Sequence, residues 1–411
     1  MAARSAELAP RDGRATLALA SAAIGLFLPS SLGGQILRAF TALDLVATVA
    51  VLGGLVRLGL TKDRWARACA LAIPATLALA TWTSPFESLS PGLVAIYGAL
   101  GLLYLVDLQG ARLGSLEERM LLALHVLLAA AGVAIVVDVT LVDRLLAWFY
   151  SAFYPSLVPR MATLQKPVLT FGTHSLAALL FYLLFLTALA GHAARRSAAW
   201  LILVPTHFML LVFLRSTTSM ALAVCAALAL VARVWRGAAW HGVALAVVLA
   251  AAGSLVAALV NWTDRPMAEL LAYALLGDER RGLSSRFATG GLLAPTLAYI
   301  RTHPWRPIGI TYTDQLYLGD SGILMTWLRG SLPLILAVYG GLLRFLVTNL
   351  ASVRMAVWLW VVIVAAEVAL TPLQYFRFLA ILPSTIVALN TFGRTGDVSR
   401  PAPAARSRRD M

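Results

Sequence analysis

The chain has 411 residues, 60% of them hydrophobic and 13% charged, and its formal net charge is +14. With a mean hydropathy of +0.82, it carries more apolar surface than a water-soluble protein of this length can bury. The apolar runs are continuous rather than alternating, so helices and not a membrane β-barrel are expected. The positive charge does not indicate nucleic acid, because the arginines gather where apolar runs end.

In chain order, residues 1–14 form a polar tail that is expected to lie in the cytoplasm. Arg11 and Arg14 precede the first apolar run, but no small-residue cleavage site follows, so a removable leader is not expected. Spans are predicted near 15–31, 40–59, 68–84, 91–108, 119–138, 168–190, 199–214, 219–235, 240–261, 321–347, 353–372 and 377–393. The fold class is therefore an all-α integral membrane protein of about 12 transmembrane helices.

Alternate span ends are basic: Arg57 to Arg67, Arg112 and Arg119, Arg195 and Arg196, Arg233 and Arg236, Arg344 and Arg354, then the tail from Arg394. The positive-inside rule then places both termini in the cytoplasm. The domain reading is a tail (1–14), helices 1–9 (15–261), a large periplasmic loop between helices 9 and 10 (262–320), helices 10–12 (321–393) and a basic tail (394–411). The outer loop 139–167, with Trp148, Phe149, Tyr150, Phe153 and Tyr154, is expected to lie on the membrane as an interfacial helix. Cys69 and Cys225 sit inside apolar runs and read as small buried residues without a disulfide. No internal repeat of the transporter kind is apparent.

The polar stretch from Arg280 to Leu328 stands out against this background. Arg280, Arg281 and Arg286 lie close together, ahead of Gly290 and Gly291. Guanidinium forks bind phosphate oxygens bidentately, which suits a diphosphate; headgroup contact or pairing with Asp278 and Glu279 is the competing reading. In HPWRPIGI, Pro304 and Pro307 stiffen a turn and Gly309 permits close approach of backbone. Asp320 is expected to cap the following span, and a carboxylate there is also a candidate general base, with Glu279 as substitute.

Ionisable groups inside spans are costly and therefore informative. Arg329 lies roughly 13 Å along its helix axis, and Glu367 lies near the outer end of the next span. An Arg329–Glu367 pair is expected, either structural or in contact with substrate. Arg215, beside Ser216, Thr217, Thr218 and Ser219, makes a cationic, hydroxyl-rich turn suited to an anion. Lys166 and His174 mark the start of the sixth span, and His207 is expected to hydrogen-bond inside the bundle. Metal-ligand spacings, a P-loop, a dinucleotide fingerprint and a nucleophile elbow are all missing from the sequence, so no cofactor or metal is expected.

KPVLTFGTHSLAALL, the LRSTTSMALAV turn, and the order Ser285-Arg286, HPWRPIGI, Asp320-Ser321-Gly322, Leu328-Arg329-Gly330 together resemble the O-antigen ligase and polymerase superfamily over roughly residues 160–345. The resemblance implies a metal-independent glycosyltransferase of the GT-C type in the bacterial inner membrane, acting on glycans carried by undecaprenyl diphosphate. It implies membrane lipids as surroundings, a flippase and a chain-length regulator as partners, and no nucleic acid. Two departures matter. Asp320-Ser321-Gly322 stands where ligases carry a histidine motif, which favours a polymerase of the exopolysaccharide or O-antigen kind. Arg215 precedes its serines where the family arginine follows them. A ligase and a flippase of the lipid-linked glycan are the alternatives.

Overall fold

The computed structural model describes residues 12–27, 37–137, 166–169, 174–214, 216–234, 293–313, 321–368 and 370–395, with isolated positions besides. In these residues the chain is helical. The helices are α1 (Gly13–Phe27), α2 (Leu37–Leu58), α3 (Arg64–Trp82), α4 (Pro91–Leu105), α5 (Ser115–Val136), α6 (His174–Arg195), α7 (Ala198–Phe213) and α8 (Thr217–Val234). They continue with α9 (Ala294–Thr302), α10 (Gly322–Ile335), α11 (Gly341–Asn349), α12 (Val353–Glu367) and α13 (Phe376–Thr395). Extended pairing in the described residues is confined to two isolated bridges, Leu60 with Val106 and Leu89 with Thr311.

Each predicted span that falls on described residues is a helix, but the count of about 12 spanning helices is overturned. Among the described residues, five helices are long and apolar enough to cross a bilayer: α3, α5, α6, the α10–α11 stretch Gly322–Asn349, and Phe376–Gly393 of α13. They make this a multi-pass membrane protein by length and composition. The predicted span 240–261 and, apart from Arg144, Lys166 and Pro167, the interfacial helix predicted over 139–167 lie outside the described residues.

The physical reason is that apolar composition does not distinguish lipid-facing helix from chain buried inside protein. The stretch 91–108 stops being helical at Leu105, and Val106 and Leu108 go on as fully buried extended chain. The stretch 353–372 ends its helix at Glu367 and turns through a 3-10 segment, Pro372–Gln374.

Helices α6 and α13 form the centre. Every residue from Leu176 to Gly191 of α6 is buried, and α13 packs on α1, α2, α4 and α6. By contrast α3 and α5 keep most of their surface outward, as expected of helices that face lipid. Small residues allow the closest approaches. A Cβ on Gly25 of α1 would lie 2.9 Å from the Arg377 carbonyl of α13, and one on Gly191 would meet the Trp200 ring at 2.7 Å.

One end of the bundle is charged and stapled by side chain-to-backbone hydrogen bonds. Asn349 accepts from the Leu108 amide (2.5 Å) and donates to the Val106 carbonyl (3.3 Å). Asn390 accepts from the Ala351 amide (2.8 Å) and donates to the Asn349 carbonyl (2.6 Å). Arg195 grips Glu118 with two bonds of 2.8 and 2.6 Å. Asp63 caps α3 by accepting from the Ala66 amide (2.8 Å) and pairs with Arg344 of α11. Burial alone would raise the Asp63 carboxyl, but Arg344 and the amides of Ala66 and Trp65 bring it below the ordinary carboxylate range.

A group lowered in this way stabilises the fold above its unfolded pKa of about 3.9 and loses that contribution as pH falls through the folded value. Asp63→Asn should therefore lower stability by about 0.5–1 kcal/mol at neutral pH. In thermal unfolding scans in detergent, the difference from the parent should be flat above pH 5 and vanish in strong acid.

Candidate functional site

The opposite end, where α3 and α12 finish and α4, α10 and α13 begin, is built differently. Here residues 303–312, the HPWRPIGI turn and its continuation, are wedged between helix ends. The Ile308 and Gly309 amides donate to the carbonyls of Leu328 (2.9 Å) and Arg329 (3.0 Å) in α10. The Ile310 amide donates to Thr81 Oγ1 at 3.0 Å. The Ser90 amide donates to the Ile310 carbonyl (2.9 Å), and the Tyr312 amide to the Ser88 carbonyl (2.7 Å). The hydroxyls of Ser84 and Thr311 share a 2.8 Å hydrogen bond. Gly309 is required twice over: its φ is +61°, and a Cβ there would lie 2.2 Å from Thr81 Oγ1.

Arg329, 1% exposed, closes the wedge. Its Nη1 donates to the carbonyls of Gly309 (3.0 Å) and Thr311. Helix α10 yields to this contact. Ser331 leaves helical geometry at φ 53°, ψ −152°, Pro333 follows, and the chain passes through a π turn, Leu336–Gly340, before α11. The freed Ser331 hydroxyl donates to the Pro304 carbonyl at 3.2 Å. The span predicted over 321–347 is thus a broken helix.

The expected Arg329–Glu367 pair does not form; among the described residues no ion pair joins them. The two side chains bind different backbone instead. Glu367, also 1% exposed, accepts from the Tyr339 hydroxyl (2.9 Å) and the Leu373 amide (2.8 Å), which locks the α12–α13 turn. Gly322 makes room for it, since a Cβ there would lie 1.6 Å from Glu367 Oε2. Tyr97 of α4 lies near both side chains, beside Thr326 and Gln374. The Tyr97 hydroxyl, Arg329 Nε and Gln374 Nε2 are buried without a hydrogen-bond partner. All three can donate, so this buried polar cluster holds hydrogen-bonding capacity that an oxygen acceptor would satisfy.

The remaining predicted residues fall as follows. The N-cap of α10 is Ser321 rather than Asp320. Lys166 is half-buried in a tight turn, with the Val168 amide donating to its carbonyl (2.7 Å), and His174 opens α6. That segment is tucked inward, with Phe171 edge-to-face on Phe181 at 5.9 Å. Asp320, Glu279, Arg215, Arg280, Arg281 and Arg286 lie outside the described residues. His207 does hydrogen-bond inside the bundle, to His125 at 3.1 Å.

Tyr97, Tyr339 and Gln374 were missed from the sequence. Tyrosines and glutamines near span ends read as ordinary interface residues, and only their convergence marks them. The outer surface of the wedge carries exposed Arg301, His303 and Arg306, with Trp305 70% exposed and 6.3 Å from Trp327.

Removing the Arg329 guanidinium strands the buried carbonyls it serves. Arg329→Gln should cost about 2–4 kcal/mol. It should also speed tryptic cleavage after Arg301 about tenfold or more, because cleavage follows the population of the opened loop. Equal cleavage rates in variant and parent would show that the guanidinium does not hold the wedge.

Comparison with protein-family models, curated proteins and solved structures finds no match for this chain.

Proposed function

We propose that this membrane protein is a metal-independent glycosyltransferase that polymerises glycan repeat units carried on undecaprenyl diphosphate, at the periplasmic face of a bacterial inner membrane. The observation that carries the reading is the buried polar cluster of Tyr97, Arg329, Glu367 and Gln374 beside the docked 303–312 segment. It is a buried, donor-rich polar site at the end of an otherwise apolar bundle, where a lipid-borne polar headgroup would arrive. Buried ionisable groups within a membrane bundle mark function more often than chance.

In this reading the acceptor hydroxyl attacks the anomeric carbon of the lipid-linked chain. Arg286 and Arg215, with Arg280 or Arg281, hold the departing diphosphate, and Asp320 or Glu279 takes the proton. Lys166 and His174, at the start of α6, would contact the same headgroup. The exposed Arg301, Arg306 and Trp305 offer charge and an aromatic face to the glycan. Arg329 and Glu367 act as positioning residues, since each binds backbone around the buried cluster.

One observation favours a second reading. The break at Ser331 and Pro333, inside a stretch long enough to span the membrane, is the kind of discontinuity on which transporters build substrate sites. A flippase of the same lipid-linked glycan fits it.

The deciding measurement uses purified protein in proteoliposomes with lipid-linked repeat units. Chain elongation is expected, and Arg286→Ala should reduce it by about a hundredfold or more with expression unchanged. Headgroup translocation without elongation would replace the polymerase reading with the flippase one.

A further inference from the structure

The same break in α10 has a consequence on the outer flank of the bundle, toward the charged end. Pro333 and the π turn Leu336–Gly340 bend the chain beside α3, leaving a cavity of about 470 Å³ between the two. Trp65, Ala68 and Ala72 of α3 line one wall; Leu336, Gly340 and Arg344 line the other. Proline and π turns widen a helix locally. Here the small residues opposite leave the resulting space unfilled, and nothing lies within 4 Å of a Cβ built on Gly340. The walls are apolar up to Arg344, so the groove suits hydrocarbon along its length and an anion at that end.

The polar mouth is cationic. Arg344 pairs through Nη2 with Asp63, while its Nε is buried without a partner. Lys62, Arg64 and Arg67 stand exposed on the neighbouring turn, against the single carboxylate of Asp63. Trp65 is 70% exposed beside them, the position an indole takes at the boundary between headgroups and acyl chains. We propose that this groove binds one acyl chain of an anionic phospholipid. The phosphate would sit on the exposed face of the Arg344 guanidinium and the Lys62–Arg64 cations, and the chain would run past Ala68 and Ala72 to Gly340. This site is independent of the glycan-transfer reading and stands or falls separately from it.

The test uses full-length protein purified in a mild detergent, with phosphatidylglycerol and phosphatidylcholine as probes. Native mass spectrometry should show phosphatidylglycerol retained by the parent protein in preference to phosphatidylcholine, and added phosphatidylglycerol should raise its unfolding temperature. Gly340→Leu fills the groove where a side chain meets no atom. It should weaken phosphatidylglycerol retention by about tenfold or more, since each displaced methylene contact is lost to the lipid, while the lipid-free unfolding temperature stays close to the parent's. If that variant proves unstable, Ala68→Leu makes the same test from the other wall. Lys62→Gln with Arg64→Gln should keep lipid binding but erase the preference for the anionic headgroup. Unchanged retention in the groove-filled variant, or equal retention of both lipids by the parent, overturns the proposal.

Discussion

A buried guanidinium bound to loop carbonyls governs one whole end of this protein. Within the hydrocarbon of a bilayer, irregular backbone is tolerated only where protein satisfies its polar groups or a water-filled cavity reaches them. Arg329 does this for Gly309 and Thr311, while Thr81, Ser88 and the α10 carbonyls serve the rest of the segment. The arrangement works in both directions. The loop receives donors it would otherwise take from water, and the arginine receives acceptors that make its burial bearable. Helix α10 breaks two residues later, at Ser331, where its hydroxyl reaches the same loop. The polar cluster at Tyr97 and the groove beside Gly340 lie on either side of that break.

The two ends of the bundle solve the problem of helix termini by different chemistry. At the charged end, Asn349 and Asn390 offer amide groups that act as both donor and acceptor, so each ties two strands of chain with one side chain. At the other end the partners are ionisable groups, Arg329 and Glu367, each bound to backbone and not to the other. Amides make neutral staples that tolerate a wet boundary. Buried charges are more demanding, because removing either partner leaves an uncompensated group in a poor dielectric. This contrast is a physical reason to seek function at the second end and structural support at the first.

Much of the secondary structure could be read before the fold was known, and much of the site could not. Continuous apolar runs mark α1 to α8 and α10 to α13 wherever the described residues allow comparison. Glycines and prolines in HPWRPIGI announced a stiff turn, and the structure supplies one, with Gly309 at positive φ. The Arg329–Glu367 pairing was misjudged because opposite charges at similar depth on neighbouring spans look like natural partners. Depth along a helix says nothing about which face a side chain takes. Tyr97 and Gln374 carried no signal at all, since each is unremarkable within its own segment and acquires meaning only beside the other.

The sequence alone determined that the chain is helical and bound for a membrane, because hydrophobic content and continuity are properties of composition. It also determined where charge would gather, since arginines cluster at the ends of apolar runs. Only the tertiary structure decided which of those runs are long enough to cross a bilayer and which are buried against protein, as at Val106 and Leu108. It alone decided that Arg329 would hold a loop and leave Glu367 to another partner. Both outcomes depend on which surfaces meet, and an apolar residue is equally content against lipid or against another helix.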